Sequence, residues 1–254
     1  MKKIFLTAVV FLGATAVASA ADLPIPAPVA VPVPVLFTWS GCYVGIEGGG
    51  IWGHSEQVEQ AGPVGLHLSM TGSYSLSGGI AGGTLGCNVQ LSNFVVGFEN
   101  DFSWTNKKGS ALNRPPFDTS VTNTTRESWI DTLRGRFGWT PVERFMVYAT
   151  AGIAAVDAHL DVSSPTIGIV TDSRTRVGWT VGGGGEWAAW SGPFGDLTFK
   201  LEYLHAGFQS NTYFNVPNAA GLAIFARDVH LSDDMVRAGV NLKFNWGNPV
   251  VAQY

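Results

Sequence analysis

Val236-Arg237-Ala238-Gly239-Val240-Asn241-Leu242-Lys243-Phe244-Asn245-Trp246 alternates without a break. Val236, Ala238, Val240, Leu242, Phe244 and Trp246 fall on one parity; Arg237, Gly239, Asn241, Lys243 and Asn245 fall on the other. Side chains of a strand point to opposite faces in turn, so the segment has one oily face and one wet face. Its length, about eleven residues, is what a tilted strand needs to cross a bilayer.

The same pattern recurs upstream. A first strand is predicted over Cys42 to His54, a second over Ser73 to Gln90, and a third over Phe94 to Trp104. A fourth runs from Ser128 to Trp139, a fifth from Phe145 to Val156, a sixth from Arg174 to Trp187, and a seventh from Leu197 to Gly207. The opening segment is the eighth. In the third, Phe94, Val96, Phe98, Phe102 and Trp104 oppose Val95, Gly97, Glu99, Asp101 and Ser103, and Asn100 breaks the oily parity in a way that suggests a bulge. Asp131 breaks it in the fourth, near the end expected to meet water. The fifth strand is oily on both parities.

Connections alternate in length. Those near Leu91 to Asn93, Thr140 to Arg144 and Ala188 to Asp196 are short; those near Ser55 to Gly72, Thr105 to Glu127, Asp157 to Ser173 and Phe208 to Asp234 are long and polar. Short turns at one end and long loops at the other are the pattern of outer-membrane barrels, and an even strand count puts both barrel termini on the short-turn side. A soluble eight-stranded barrel also alternates, with its oily parity facing inward. Trp104, Trp139, Trp187 and Trp246 lie at the ends of oily faces, where headgroup girdles are expected, and favour lipid. The fold expected is therefore all-β: an eight-stranded antiparallel up-and-down transmembrane β-barrel.

Composition agrees. Charged residues make up only 13 % of the chain, there are 32 glycines and nine tryptophans, and a net charge of -4 gives no reason to expect nucleic acid. Residues 1–20 read as a cleavable secretory signal: Lys2 and Lys3, an apolar run from Ile4, and the small-residue site Ala18-Ser19-Ala20. No other stretch has the roughly 18 apolar residues of a membrane helix, and a closed barrel is the other structure that satisfies its backbone within lipid. Residues 21–36, with prolines at 24, 26, 28, 32 and 34, read as an extended periplasmic spacer. Residues 37–246 are the barrel and 247–254 a short tail, so the assembly signal is either Phe244 and Trp246 or the terminal Tyr254.

The wet parity collects charge: Arg134, Arg136, Arg174, Arg176, Lys200, Arg237 and Lys243 against Glu47, Glu99, Asp101, Glu186 and Glu202. An eight-stranded barrel is just wide enough to be filled by side chains, and buried charges must pair. Two readings follow, a polar plug or a small porin-like channel. His54, His67, His159, His205 and His230 all map to the long-loop end, which suggests an external haem or metal site, but no ligand spacing supports it. No cofactor and no metal are expected. Catalysis is not expected either: no nucleophile elbow or zinc motif is present, and Gly182 to Gly185 lie inside a strand, where glycines let bulky neighbours pack.

Trp39-Ser40-Gly41-Cys42-Tyr43-Val44-Gly45, Trp129 with Leu133-Arg134-Gly135-Arg136, Val177-Gly178-Trp179-Thr180-Val181-Gly182, Leu201-Glu202-Tyr203 and Val236-Arg237-Ala238-Gly239 follow one another in an order that resembles the outer-membrane immunogenic protein family of alphaproteobacteria, small barrels of the OmpA-like superfamily. The resemblance covers the mature chain. It implies residence in the cell outer membrane, surface-exposed loops, and roles in envelope integrity or host contact. Some relatives are described as porin-like or haem-binding. It implies as partners outer-membrane lipid and lipopolysaccharide and the barrel-assembly machinery; the barrel is expected to be a monomer. Ala21-Asp22 matches the family's mature start, which implies attachment of Ala21 to peptidoglycan. The chain departs from the family at Cys42 and Cys87, where aromatics are usual. Both lie near the short-turn end of adjacent strands, which leaves two readings: a disulfide, favoured by an oxidising periplasm, or two small apolar residues at the lipid interface.

Overall fold

Nine strands form one closed antiparallel sheet in the computed structural model, which describes residues 37–61, 68–166, 168–192, 194–214 and 226–244. The signal segment, the proline spacer with Ala21, His67, Trp246 and the tail 247–254 lie outside the described residues. In chain order the strands are β1 (Gly41–Ala61), β2 (Tyr74–Leu91), β3 (Phe94–Thr105), β4 (Lys108–Leu112), β5 (Thr122–Val142), β6 (Phe145–Ser164), β7 (Gly168–Gly192), β8 (Gly195–Tyr213) and β9 (Ala226–Phe244). Apart from β3 and β4, which pair with β2 and β5 and not with each other, each strand pairs with its neighbour in order, and β1 pairs with both β2 and β9, which closes the ring. The short β4 continues the course of β3 between β2 and β5, so the wall has eight staves. Among the described residues no helix is long and apolar enough to cross a membrane; the crossing is made by strands whose backbone groups are satisfied by one another.

The opening alternation is realised on β9. Arg237, Asn241 and Lys243 are buried inside, whereas Val236 and Phe244 are exposed outside. The same holds around the ring: Ile46, Leu85, Phe98, Leu133, Val181 and Leu201 face outward, and Glu47, Glu99, Arg134 and Glu202 face inward. This inverts the packing of a soluble barrel and removes that alternative. β6, oily on both parities, puts Met146, Tyr148, Ala154 and Val156 inside and Phe145, Val147 and Ile153 outside. Aromatic rings bound the oily belt. Trp52, Trp104, Trp129 and Trp179 mark its outer edge; Phe94, Trp139, Trp187 and Phe199 mark its inner edge. The facing pairs Trp104 with Trp129 and Phe94 with Trp139 sit opposite each other on β3 and β5.

Three differences from the expectation stand out. The strands run well past the outer girdle, so the segment from Asp157 to Ser173 is not a long loop but a hairpin that turns between Ser164 and Gly168. The other three long connections are shortened in the same way by β1, β4, β5, β8 and β9. Above the girdle the outward face of a strand meets water in place of lipid, and much of the buried inward face is polar, as at Gln57, Asn123 and Glu127, so the sequence there lacks the oily–polar alternation that marks a strand. Second, Asn100 is no bulge: the registers of β2 with β3 and of β3 with β5 pass through it unbroken. Its amide donates to Asp131 Oδ1 at 2.8 Å and to the Thr132 carbonyl at 3.0 Å. Third, Asp131 is not at a wet strand end. It lies inside the Trp129 girdle, and the two exceptional polar residues satisfy each other on the lipid-facing wall.

At the short-turn end the segment before β1 folds inward. Phe37 and Trp39 are buried with Val95, Met146, Tyr148 and Ala188. The Trp39 indole N–H donates to the Glu143 carbonyl at 3.1 Å, and its backbone N–H donates to Gln90 Oε1 at 2.8 Å. The chain thus stoppers its own periplasmic mouth.

Candidate functional site

The barrel interior is a stack of layers above that stopper. The first charged layer centres on Arg136, whose guanidinium lies 3.7 Å over the Tyr148 ring and is paired with Glu186. Glu186 also accepts from Thr198 Oγ1 at 2.5 Å and from Asn241 Nδ2 at 3.1 Å. Tyr43 ties this layer to the next: its hydroxyl accepts from Arg136 Nη1 at 3.1 Å and donates to Glu99 Oε2 at 2.6 Å. The ring reaches across because the residue facing it on β2 is Gly86, where a Cβ would collide with the phenol.

The second charged layer is denser. Arg134 Nη2 lies 2.6 Å from Glu99 Oε1, its Nη1 lies 3.0 Å from Glu202 Oε2, and it is also paired with Asp101. Arg237 reaches Glu47 Oε1 and Glu202 Oε1, each at 2.5 Å, and Asp101 Oδ2 at 3.2 Å. Lys200 Nζ sits among Glu47 at 3.1 Å, Glu99 at 3.2 Å, Asp101 at 3.4 Å and Glu202 at 3.6 Å. Gly184 on β7 makes room beside this cluster, since a Cβ there would strike the Glu202 backbone and Cβ. Charge-assisted contacts of this kind offset the large cost of removing ions from water only when nearly every group is engaged.

Of the twelve charges read from the sequence, these two layers unite Glu47, Glu99, Asp101, Arg134, Arg136, Glu186, Lys200, Glu202 and Arg237. Lys243 is inside but lower, 2.9 Å from Asp196. Arg176 is buried higher, donating to the carbonyls of Gln209, at 2.7 Å, and of Val229. Arg174 is a correction: its side chain is 41 % exposed and lies 3.5 Å from Asp172. It has the inward parity but stands farther out than Arg176, past the end of the β7–β8 pairing at Gly178, and its ion pair is with Asp172 of its own strand.

Two interior features were not legible in the sequence. An apolar layer of Ile51, Ile80, Ile130, Ala154, Val156, Leu204, Ala206 and Met235 crosses the lumen above the charges. Beyond it lies a second ionic group, in which Lys107 is held by Glu127 at 2.7 Å and by Asp233, all three fully buried. Farther out Arg227 donates to Gln57 Oε1 at 2.9 Å and to Asn123 Oδ1 at 2.5 Å. Lys107, Glu127, Asp233 and Arg227 fell in segments expected to be loops.

The histidines do not converge. His205 Nδ1 is 2.8 Å from Asp234 and His159 Nε2 is 3.0 Å from Asp157. Ser210 Oγ lies 2.8 Å from His230 Nδ1, the one hydroxyl–imidazole contact among the described residues, on an exposed wall with no carboxylate hydrogen-bonded to the ring. The described residues contain one group of acids close enough to share an ion, Glu47, Asp101 and Glu202, and it is already filled by the cations named above. Cys42 and Cys87 face each other across β1 and β2 and are joined as a disulfide.

A closed antiparallel ring, oily outside, charged within and girdled by aromatics at two levels, defines a transmembrane β-barrel. Residues 7–244 match the outer membrane protein beta-barrel domain, and the chain belongs to that family. It is 32% identical over 252 residues to the 31 kDa outer-membrane immunogenic protein of Brucella melitensis, covering 96% of this chain and 100% of that protein. It is 27% identical over 210 residues to the 25 kDa outer-membrane immunogenic protein of Brucella abortus, covering 82% of this chain and 80% of the relative. Among solved structures, Neisserial surface protein A aligns over 81% of this chain and 98% of its own with 14% identity and a TM-score of 0.39; the fold rests here on the strand pairing itself. The protein is thus an outer-membrane β-barrel of the immunogenic-protein type, resident in the cell outer membrane.

Proposed function

We propose that the protein is a closed, non-conducting and non-catalytic barrel with a structural and surface-interaction role in the envelope. The observation that carries this reading is the apolar layer across the lumen, flanked by two ionic layers and stoppered below by Phe37 and Trp39. A continuous aqueous path needs polar lining along its whole length, and Ile51, Ile130, Leu204 and Met235 interrupt it. Purified folded protein in planar bilayers is expected to give no stepwise conductance. Regular steps that disappear in an Arg134 or Glu99 variant would overturn the reading and favour a porin-like channel.

Outer-membrane lipid and lipopolysaccharide are the proposed neighbours of the oily wall, the barrel-assembly machinery its folding partner, and the monomer its state. Attachment of Ala21 to peptidoglycan is proposed on the family resemblance, with the proline segment giving reach. Mass analysis of muropeptides released by lysozyme is expected to find an Ala21-linked species; none in a preparation that retains the barrel would remove the tether.

A further inference from the structure

The outer wall has a defect just above its outer girdle. Pairing of β3 with β5 ends at Trp104 opposite Trp129 and resumes on β4 at Lys108 opposite Arg126, one residue out of register. β5 slips against β6 at the same level, between Glu127 and Ile130. The result is a cavity of about 620 Å³ bordered by Trp104, Lys108, Arg126, Ser128 and His159. Lys108, Arg126 and His159 are successive cross-strand neighbours on the outward face. Lys108 makes no ion pair among the described residues; Arg126 is 2.8 Å from Asp161, yet its side chain is 52 % exposed. Directly below, sharing Trp104, a groove of about 450 Å³ runs over a floor that includes Gly45, Gly82 and Gly83 between Val44, Ile46, Leu85 and Phe102.

Cations above the girdle and an oily groove below it, separated by one tryptophan that is 65 % exposed, match the two halves of an anionic lipid. We infer that one phosphorylated, acylated lipid of the outer leaflet seats on this wall, its phosphate at Lys108 and Arg126 and an acyl chain in the glycine-floored groove. Lys108 supplies a point charge and Arg126 a planar fork, the two usual ways of holding a phosphate. Continuity of the groove with the lipid-facing belt makes a membrane lipid, not a soluble anion, the occupant. The inference deepens the lipid partnership proposed above, and its failure leaves the barrel and its membrane residence intact.

Native mass spectrometry of the full folded protein in detergent tests it, with three probes: diphosphoryl hexa-acyl lipid A, the same lipid dephosphorylated, and inorganic phosphate. Saturable binding of the diphosphoryl lipid is expected, with affinity about tenfold lower in the Lys108→Gln, Arg126→Gln double variant, since two partly exposed charge-assisted contacts are lost. Lys108→Gln alone, which keeps the Arg126–Asp161 pair, is expected to fall between. Gly83→Leu fills the groove from outside, where a Cβ would stand 3.5 Å from the Gly45 carbonyl oxygen, and is expected to weaken the lipid with the cations intact. Heat-dependent gel mobility identifies folded samples. Unchanged affinity in the double variant, equal loss in Arg174→Gln, or equal binding of inorganic phosphate overturns the seat.

Discussion

Replacing Arg237 by methionine lowers the unfolding free energy of the barrel by about 3–5 kcal/mol, the usual loss when one partner of a buried ionic cluster is removed. Methionine keeps the unbranched apolar stem and deletes the charge, so the effect isolates electrostatics from packing. Arg237 is the cation nearest to Glu47 and shares Asp101 and Glu202 with Arg134. Without it those acids keep only Arg134 and Lys200, and because all three are buried from bulk solvent their excess negative charge is poorly screened. Adding Glu202→Gln to the Arg237→Met variant is expected to recover part of the loss, as coupled neighbours do. Denaturant unfolding in phospholipid vesicles measures both. A loss below about 1 kcal/mol, the scale of a solvated surface pair, would mean that the cluster is wet and the plug reading wrong.

Arginine at Leu201 is expected to cost about 2–4 kcal/mol, the penalty for that residue on the lipid face of a barrel away from the interfaces. Leu201 is 61 % exposed on the outward face of β8, flanked on that face by Phe199 and Tyr203, and its cross-strand neighbours are Gly185 and Ala238. No carboxylate on those neighbours can pair with the new charge. Arginine at Ser110, exposed on β4 above the girdle, serves as the control and is expected to be nearly neutral. Equal stability of the two variants would place the oily wall in water and contradict the membrane assignment.

The legible part of this protein is the part in which one face of each strand meets lipid and the other meets the lumen. There a period of two is imposed by physics, and parity puts residues as distant in sequence as Glu47 and Arg237 on one face. Parity carries no information about height along the barrel. Arg174 and Arg176 share a parity and both stand past Gly178, where the β7–β8 pairing ends; Arg176 still reaches the Gln209 and Val229 carbonyls inside, whereas Arg174, farther out, faces solvent beside Asp172. Ile51 and Met235 share the inward parity with Glu47 and Arg237, and nothing in their spacing reveals that they form an apolar layer. Lys107, Glu127 and Asp233 are hidden for the opposite reason: above the girdle the outward face meets water and the buried inward face is polar as well, so the oily–polar alternation is lost and the segment reads as polar loop. The Asn100–Asp131 pair was visible as two anomalies, but only the β3–β5 register makes them one contact.

The continuation of the strands beyond the outer girdle changes what the cell exterior meets. Lys108, Arg126 and His159 are distant in sequence yet side by side on three strands, and Glu56 stands opposite His230 on β1 and β9. A host molecule or antibody that reads such a surface reads a shape assembled from remote segments. Epitopes on such a surface are expected to be conformational, with a linear peptide carrying only one rung of them.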